Sequence, residues 1–292
     1  MFQNAYRNYS QFVSTLFPAI LCVLLGIPCF SSSAEAGEAI IDYPLQSAIY
    51  QWYGKLDSGI TPRELMPEPQ QIDFAEYPLA LPSRSAHHIL NIKTIRAETN
   101  VSEVEVTAEF QTWQANVTDS AGHYLMQTLT INANGQVLSS QTTLDETDDF
   151  MSRYREASDT NLLRALLYRW THTLDMASPA GLNTMLTSDA QFSGPEPQMT
   201  NASQYLHYLR TLNHSNSRRV IKNLNIRLGS AAGDYQVDFE YQWTATNMDG
   251  DTEQALIGVT MKVVVENGEA LVQFYQARYL PPVTDLGAEI RC

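Results

Sequence analysis

Apolar residues recur at three- and four-residue steps in two long stretches, which predicts two helices with one buried face each. In the first, Leu45, Ile49, Trp52 and Leu56 share a face; Asp42 caps the start, Pro44 fits the first turn and Gly59 ends it. In the second, Leu163, Leu166 or Leu167, Trp170 and Leu174 line up behind Ser158 or Asp159 as cap. Both close on one string. Tyr50-Gln51-Trp52-Tyr53-Gly54-Lys55-Leu56-Asp57 and Tyr168-Arg169-Trp170-Thr171-His172-Thr173-Leu174-Asp175 share Tyr-x-Trp-x3-Leu-Asp, 118 positions apart. A short helix follows each: Thr61-Pro62-Arg63-Glu64 reads as a capping box, and Ser178-Pro179 repeats the cap-plus-proline device. Leu182, Met185 and Leu186 place the second short helix up to Thr187–Phe192. Thr200 caps a third helix that buries Tyr205, Leu206, Leu209 and Leu212.

Elsewhere the period changes from 3.6 to 2, which predicts strands. His88 to Ala97 is apolar at Ile89, Ile92 and Ile95, with Ile92 out of step. Val104, Val106, Ala108 and Phe110 alternate with polar residues, and Tyr124–Ile131 and Val137–Leu144 meet through Asn134-Gly135, a hairpin signal. The second stretch leads to Val220–Leu228, then to Tyr235, Val237, Phe239, Tyr241 and Trp243 on one face. Leu256–Val265 and Leu271–Leu280 follow, joined by Asn267-Gly268. Helices followed by runs of strands make an α+β chain. The order helix, short helix, strands occurs twice and predicts a tandem duplication, with one copy over 42–148, the other over 156–284 and a tail over 285–292. Glu109–Ala115 parallels Glu240–Ala245 with Thr112 as one extra residue, so a β-bulge at Gln111–Thr112 is expected.

Composition narrows the setting. A net charge of −14 lacks the clustered Lys and Arg that nucleic-acid binding needs, and no nucleic-acid partner is expected. Residues 1–36 differ from the rest. Arg7 is followed by an apolar run from Leu16 to Phe30, and Ala34-Glu35-Ala36 is a small-x-small site, the three parts of a secretory signal peptide. Cleavage after Ala36 and a periplasmic or secreted chain are expected, with no membrane association beyond that segment. Cleavage would remove Cys22 and Cys29 and leave Cys292, so no internal disulfide forms.

A helix ending in Trp-x3-Leu-Asp, a short capped helix running into Ser188-Asp189-Ala190-Gln191-Phe192-Ser193-Gly194-Pro195 and a long-stranded sheet together resemble the nuclear transport factor 2-like superfamily, with its SnoaL-like and ketosteroid-isomerase-like branches. The resemblance covers all of the second copy and the helix and strands of the first. It implies two tandem cone-shaped domains, each with N-terminal helices packed in a strongly curved antiparallel sheet around a pocket. It also implies that the copies pair sheet to sheet, as an intrachain pseudo-dimer. Isomerases of that family carry a helix tyrosine as oxyanion donor and a carboxylate before a proline. Here Trp170 and Trp52 stand at the tyrosine position and Gly194 precedes Pro195. An indole N–H donates one hydrogen bond and shuttles no proton.

Candidate pocket residues are Trp170, Trp243, Tyr205, His207 and Tyr241, with Trp52 and Trp113 in the first copy. For each tryptophan, core packing competes with pocket lining. Asp57 and Asp175 end equivalent helices, and a shared structural task, such as bonding the start of the next helix, is expected. No catalytic residue, no cofactor and no metal site is expected; His87-His88 lacks a third ligand at workable spacing. Two functions compete. One is an exported tandem module binding a small apolar or aromatic ligand, or a protein partner. The other is a SnoaL-like isomerase, cyclase or dehydratase with the second copy active.

Overall fold

The computed structural model describes residues 42–66, 84–113, 122–147, 159–194 and 200–281. The expected signal segment, the tail and Pro195 lie outside them. Residues 42–147 are called the first half below, and 159–281 the second.

The first half opens with α1 (Tyr43–Asp57), whose first turn is capped by the Asp42 carboxylate accepting from the Leu45 N–H at 3.0 Å. A four-residue α2 (Pro62–Leu65) follows, with the Glu64 carboxylate reaching back to the Thr61 N–H at 2.8 Å. Four strands then form an antiparallel meander: β1 (Arg84–Ala97), β2 (Val101–Trp113), β3 (Gly122–Asn132) and β4 (Val137–Thr147). Val104, Val106, Ala108 and Phe110 of β2 face inward, as their alternation predicts.

The second half repeats the order with one more helix and one more strand. Its elements are α3 (Thr160–Asp175), α4 (Pro179–Asn183), β5 (Leu186–Ser193), α5 (Ala202–Thr211), β6 (Ser215–Leu228), β7 (Asp234–Thr246), β8 (Thr252–Glu266) and β9 (Glu269–Tyr279). The sheet runs β5-β9-β8-β7-β6, antiparallel except for β5 on β9. The chain is therefore α+β, with two sheets. No described helix is long and apolar enough to cross a membrane.

Several expectations are corrected. Thr187–Phe192 is strand, not helix, because Gln191 and Phe192 pair with Phe274 and Tyr275. Asn201, not Thr200, caps α5, its side chain accepting from the Gln204 N–H at 2.9 Å. The bulge is absent from Gln111–Thr112, where pairing runs unbroken from Arg84↔Trp113 to Ile89↔Ala108. The irregularities sit in β1 instead, at the steps Ile89/Asn91 and Thr94/Arg96. They leave Leu90 and Ile95 as the extra residues, 45% and 50% exposed, and this explains why the apolar positions of β1 fall out of step. The equivalent strand β6 has two shifts as well, beside Asn216 and Asn223, both at positive φ. Phe110 opposite His87 thus corresponds to Trp243 opposite Arg219. The hairpins differ too. Asn267 and Gly268 both take positive φ, the two-residue turn that favours this dipeptide, whereas in the first half the loop spans 133–136 and only Gly135 does.

The halves meet through α1 and α3, helix on helix, where the resemblance implies sheets. The helices run antiparallel, with Gly54 beside Leu162 and Asp57 beside Asn161. A Cβ on Gly54 would lie 2.7 Å from the Leu162 side chain and 2.8 Å from its backbone nitrogen, so the missing side chain sets how closely the helices approach. The Ser47 hydroxyl donates to the Ala165 carbonyl at 2.8 Å, and Tyr168 packs against both Tyr43 and Tyr50. Lys55 pairs with Glu269 at 2.9 Å across the same seam.

Candidate functional site

Each long helix ends in an aspartate, and each aspartate holds an edge strand of its own sheet, β1 or β6, rather than the next helix. Asp57 accepts from the Ser85 hydroxyl at 3.1 Å, the His87 N–H at 3.1 Å and, through Oδ1, His87 Nδ1 at 2.6 Å. Asp175 accepts from the Arg219 N–H at 3.0 Å, Arg219 Nη1 at 2.5 Å and the Ser217 hydroxyl at 3.4 Å. The shared signal is Ser-x-cation at the start of a strand, Ser85-Ala86-His87 and Ser217-Arg218-Arg219, 132 positions apart. Sequence reasoning missed Arg219 because its partner lies 44 residues earlier. Each of these side chains also lies against an aromatic ring: His87 stacks on Phe110 at 4.4 Å, and the Arg219 guanidinium lies 6.0 Å from the Trp243 ring centre.

The second half gathers most of the candidate residues. Trp170 is fully buried on α3 and packs at 5.0 Å on Tyr275, which stacks at 4.7 Å on Phe192. Tyr205 of α5 lies 5.6 Å from Phe192. Trp243 donates its indole N–H to the Ser217 hydroxyl at 3.1 Å. Tyr241 bonds Thr171 at 2.9 Å, and Thr171 gives its own proton to the Leu167 carbonyl. His207 is exposed on α5, since it stands two positions from the buried Tyr205, so it does not join this cluster. Trp52 is buried in the separate core of the first half. Trp113 closes β2 opposite Arg84. The candidates therefore divide into one group of four (Trp170, Tyr205, Tyr241 and Trp243) and three that stand apart.

What this interior lacks is acceptors. Among the described residues, the Trp170 Nε1–H and the Arg219 Nε–H are buried with no hydrogen-bond partner, and Trp52 Nε1 repeats the Trp170 case in the first half. A buried donor without an acceptor costs about 1–3 kcal/mol, so such groups want a reason. Burial raises Tyr241 and Tyr275 above the ordinary phenol range, so at neutral pH both hydroxyls keep their protons. Burial also lifts the Asp175 carboxyl, against the pull of Arg219. Arg219 stays charged: burial works against it, but Tyr205, Asp175 and Tyr241 outweigh that. The Asp175 carboxylate is thus engaged with Arg219, and the unpaired groups can donate but not take a proton.

A concavity lies elsewhere, on the outer face of the same sheet. It is a groove of about 530 Å³ lined by Asn223, Asn225, Asp238, Glu240, Thr260 and Arg278. Its carboxylates are spoken for: Asp238 accepts from Thr260 at 2.8 Å and from Arg227, and Glu240 accepts from Asn223 at 2.7 Å. Among the described residues no three His, Cys, Asp or Glu side chains converge to hold a metal ion.

No family model matches the chain, and no curated protein does. Solved structures do. A protein with a cystatin-like fold from Caulobacter vibrioides is 13% identical, covers 43% of this chain and 92% of its own, and has a TM-score of 0.36. A candidate scytalone dehydratase from Novosphingobium aromaticivorans is 15% identical over 42% of this chain and 85% of its own, at 0.37. A nuclear transport factor 2-like superfamily protein from Salmonella enterica is 16% identical over 41% and 89%, at 0.34. The solved structures that the chain is similar to thus include proteins of cystatin-like and nuclear transport factor 2-like fold, the superfamily that its sequence resembles.

Proposed function

We propose that the chain is an exported binding module whose second half takes the oxygen-bearing end of a small apolar or aromatic ligand and does no acid–base chemistry on it. The observation that carries this reading is the pair of unpaired donors, Trp170 Nε1–H and Arg219 Nε–H, among aromatic rings. Rings supply the apolar contact and a few placed donors fix orientation, the usual make-up of a small-molecule site. Arg219 already has Asp175, so its charge is balanced. The acceptor it suits is a neutral carbonyl or phenol oxygen rather than a carboxylate. The rings pack on one another at 4.7–5.0 Å, so entry requires them to part. An isomerase or dehydratase would need a base facing the substrate. Asp175 is tied to Arg219, and Gly194 stands where the family resemblance expects a carboxylate.

Tryptophan fluorescence titrated with an aromatic ketone, 1-tetralone, and with its hydrocarbon parent tetralin tests the reading. Saturable quenching should favour the ketone by about tenfold, the worth of one buried hydrogen bond, and Trp170→Phe should erase that preference. Absence of saturable binding by either compound, together with a bare polypeptide mass in native mass spectrometry, would refute it.

A further inference from the structure

We propose that α1 and α3 carry the same interaction surface twice, and that the partner this surface fits is a second copy of itself, so that the chain is a dimer closed within one polypeptide. The argument rests on contacts that are returned. The Tyr43 hydroxyl of α1 donates to the Arg219 carbonyl of β6 at 2.8 Å. The Asn161 side-chain amide of α3 donates to the His87 carbonyl of β1 at 2.7 Å. Tyr43 and Asn161 are 118 positions apart, the spacing of the repeated helix string; His87 and Arg219 are 132 apart, the spacing of the Ser-x-cation string. Each half's first helix therefore grips an edge strand of the other half, β6 or β1, at the same residue, the one whose N–H bonds the helix-end aspartate. Two unrelated elements that happen to touch have no reason to return a contact in this way. A two-fold interface does so at every contact, and on its axis each residue meets its own equivalent. Ser47 on Ala165 and Tyr50 against Tyr168 are such pairs, each again 118 positions apart.

The grip also deals with a sheet edge. β6 is the last strand of its sheet, and such edges leave N–H and C=O groups unpaired. The Tyr43 hydroxyl donates to Arg219 O and accepts from Ile221 N–H at 3.3 Å, the two groups that a neighbouring strand would engage. β1 is the edge strand of the first sheet, and Asn161 takes its carbonyl in the same place. The copies have diverged in what they use, tyrosine against asparagine and histidine against arginine, while keeping where they use it.

Hydrogen exchange by mass spectrometry on the full chain, in steps of added urea, tests this. Amides of β2 and β7 should lose protection at the same urea concentration, since neither half keeps its edge sealed alone. Tyr43→Phe, which removes only the hydroxyl, should lower the midpoint of both halves together, by about 4 °C in a thermal scan, and Asn161→Leu should do the same. Loss of protection in one half while the other stays closed, or a shift confined to the mutated half, would overturn the proposal. The wild-type exchange measurement decides even if a variant does not fold.

Discussion

Asp57 and Asp175 occupy one structural place and face different partners, His87 and Arg219. His87 presents an imidazole nitrogen, whereas Arg219 presents a guanidinium with several N–H donors. Tyr43, which crosses to the second half, titrates in a range that can be reached. Burial pushes its hydroxyl from the ordinary 10 up to about 12. The unfolded chain then releases this proton before the folded one, so stability falls as pH rises from about 10 to 12 and is unaffected below. Urea midpoints measured across that window should drop for the wild type and drop less steeply for Tyr43→Phe. Equal slopes would mean that Tyr43 ionises as freely folded as unfolded. The sequence made Trp52 and Trp170 legible as buried, because one helical face needs no partner to be recognised. Arg219 and Tyr275 were not legible. Their roles depend on a helix and strands brought together from far along the chain, and no local pattern encodes that.

At the scale of elements, periodicity located α1, α3 and the inward face of β7, since burial on one face leaves its period in the sequence. It misplaced the bulge because two strands that look alike in sequence, β2 and β7, can be slid by two residues without disturbing their alternation. Only pairing with β1 and β6 fixes them, through Phe110 opposite His87 and Trp243 opposite Arg219. The antiparallel helix contact was likewise invisible, although Gly54 marks it. Gly54→Ala would put a methyl group into Leu162, including its backbone, which cannot rotate aside. Better helix propensity would favour alanine by up to about 1 kcal/mol, but overpacking costs about 1–3 kcal/mol. The net expectation is a loss of stability in chemical denaturation. A stabilised variant would show that the helices can separate without cost.

For the whole molecule, the class α+β followed from the order of helical and alternating segments, and the acidic balance of −14 excluded a partner class rather than naming one. The seam between the halves has a further consequence, which concerns dilution. Two separate chains joined by bonds such as Tyr43 to Arg219 and Asn161 to His87 would part as their concentration fell. Joined in one polypeptide, the same surfaces meet at an effective concentration that does not depend on how much protein is present. The melting midpoint should therefore be the same at 1 and 100 μM protein, to order of magnitude the span over which a two-chain dimer shifts visibly. A midpoint that climbs with concentration would point to a second seam between molecules. In a surrounding that the cell does not keep crowded with the product of this gene, a protein that carries its own partner stays whole at any abundance.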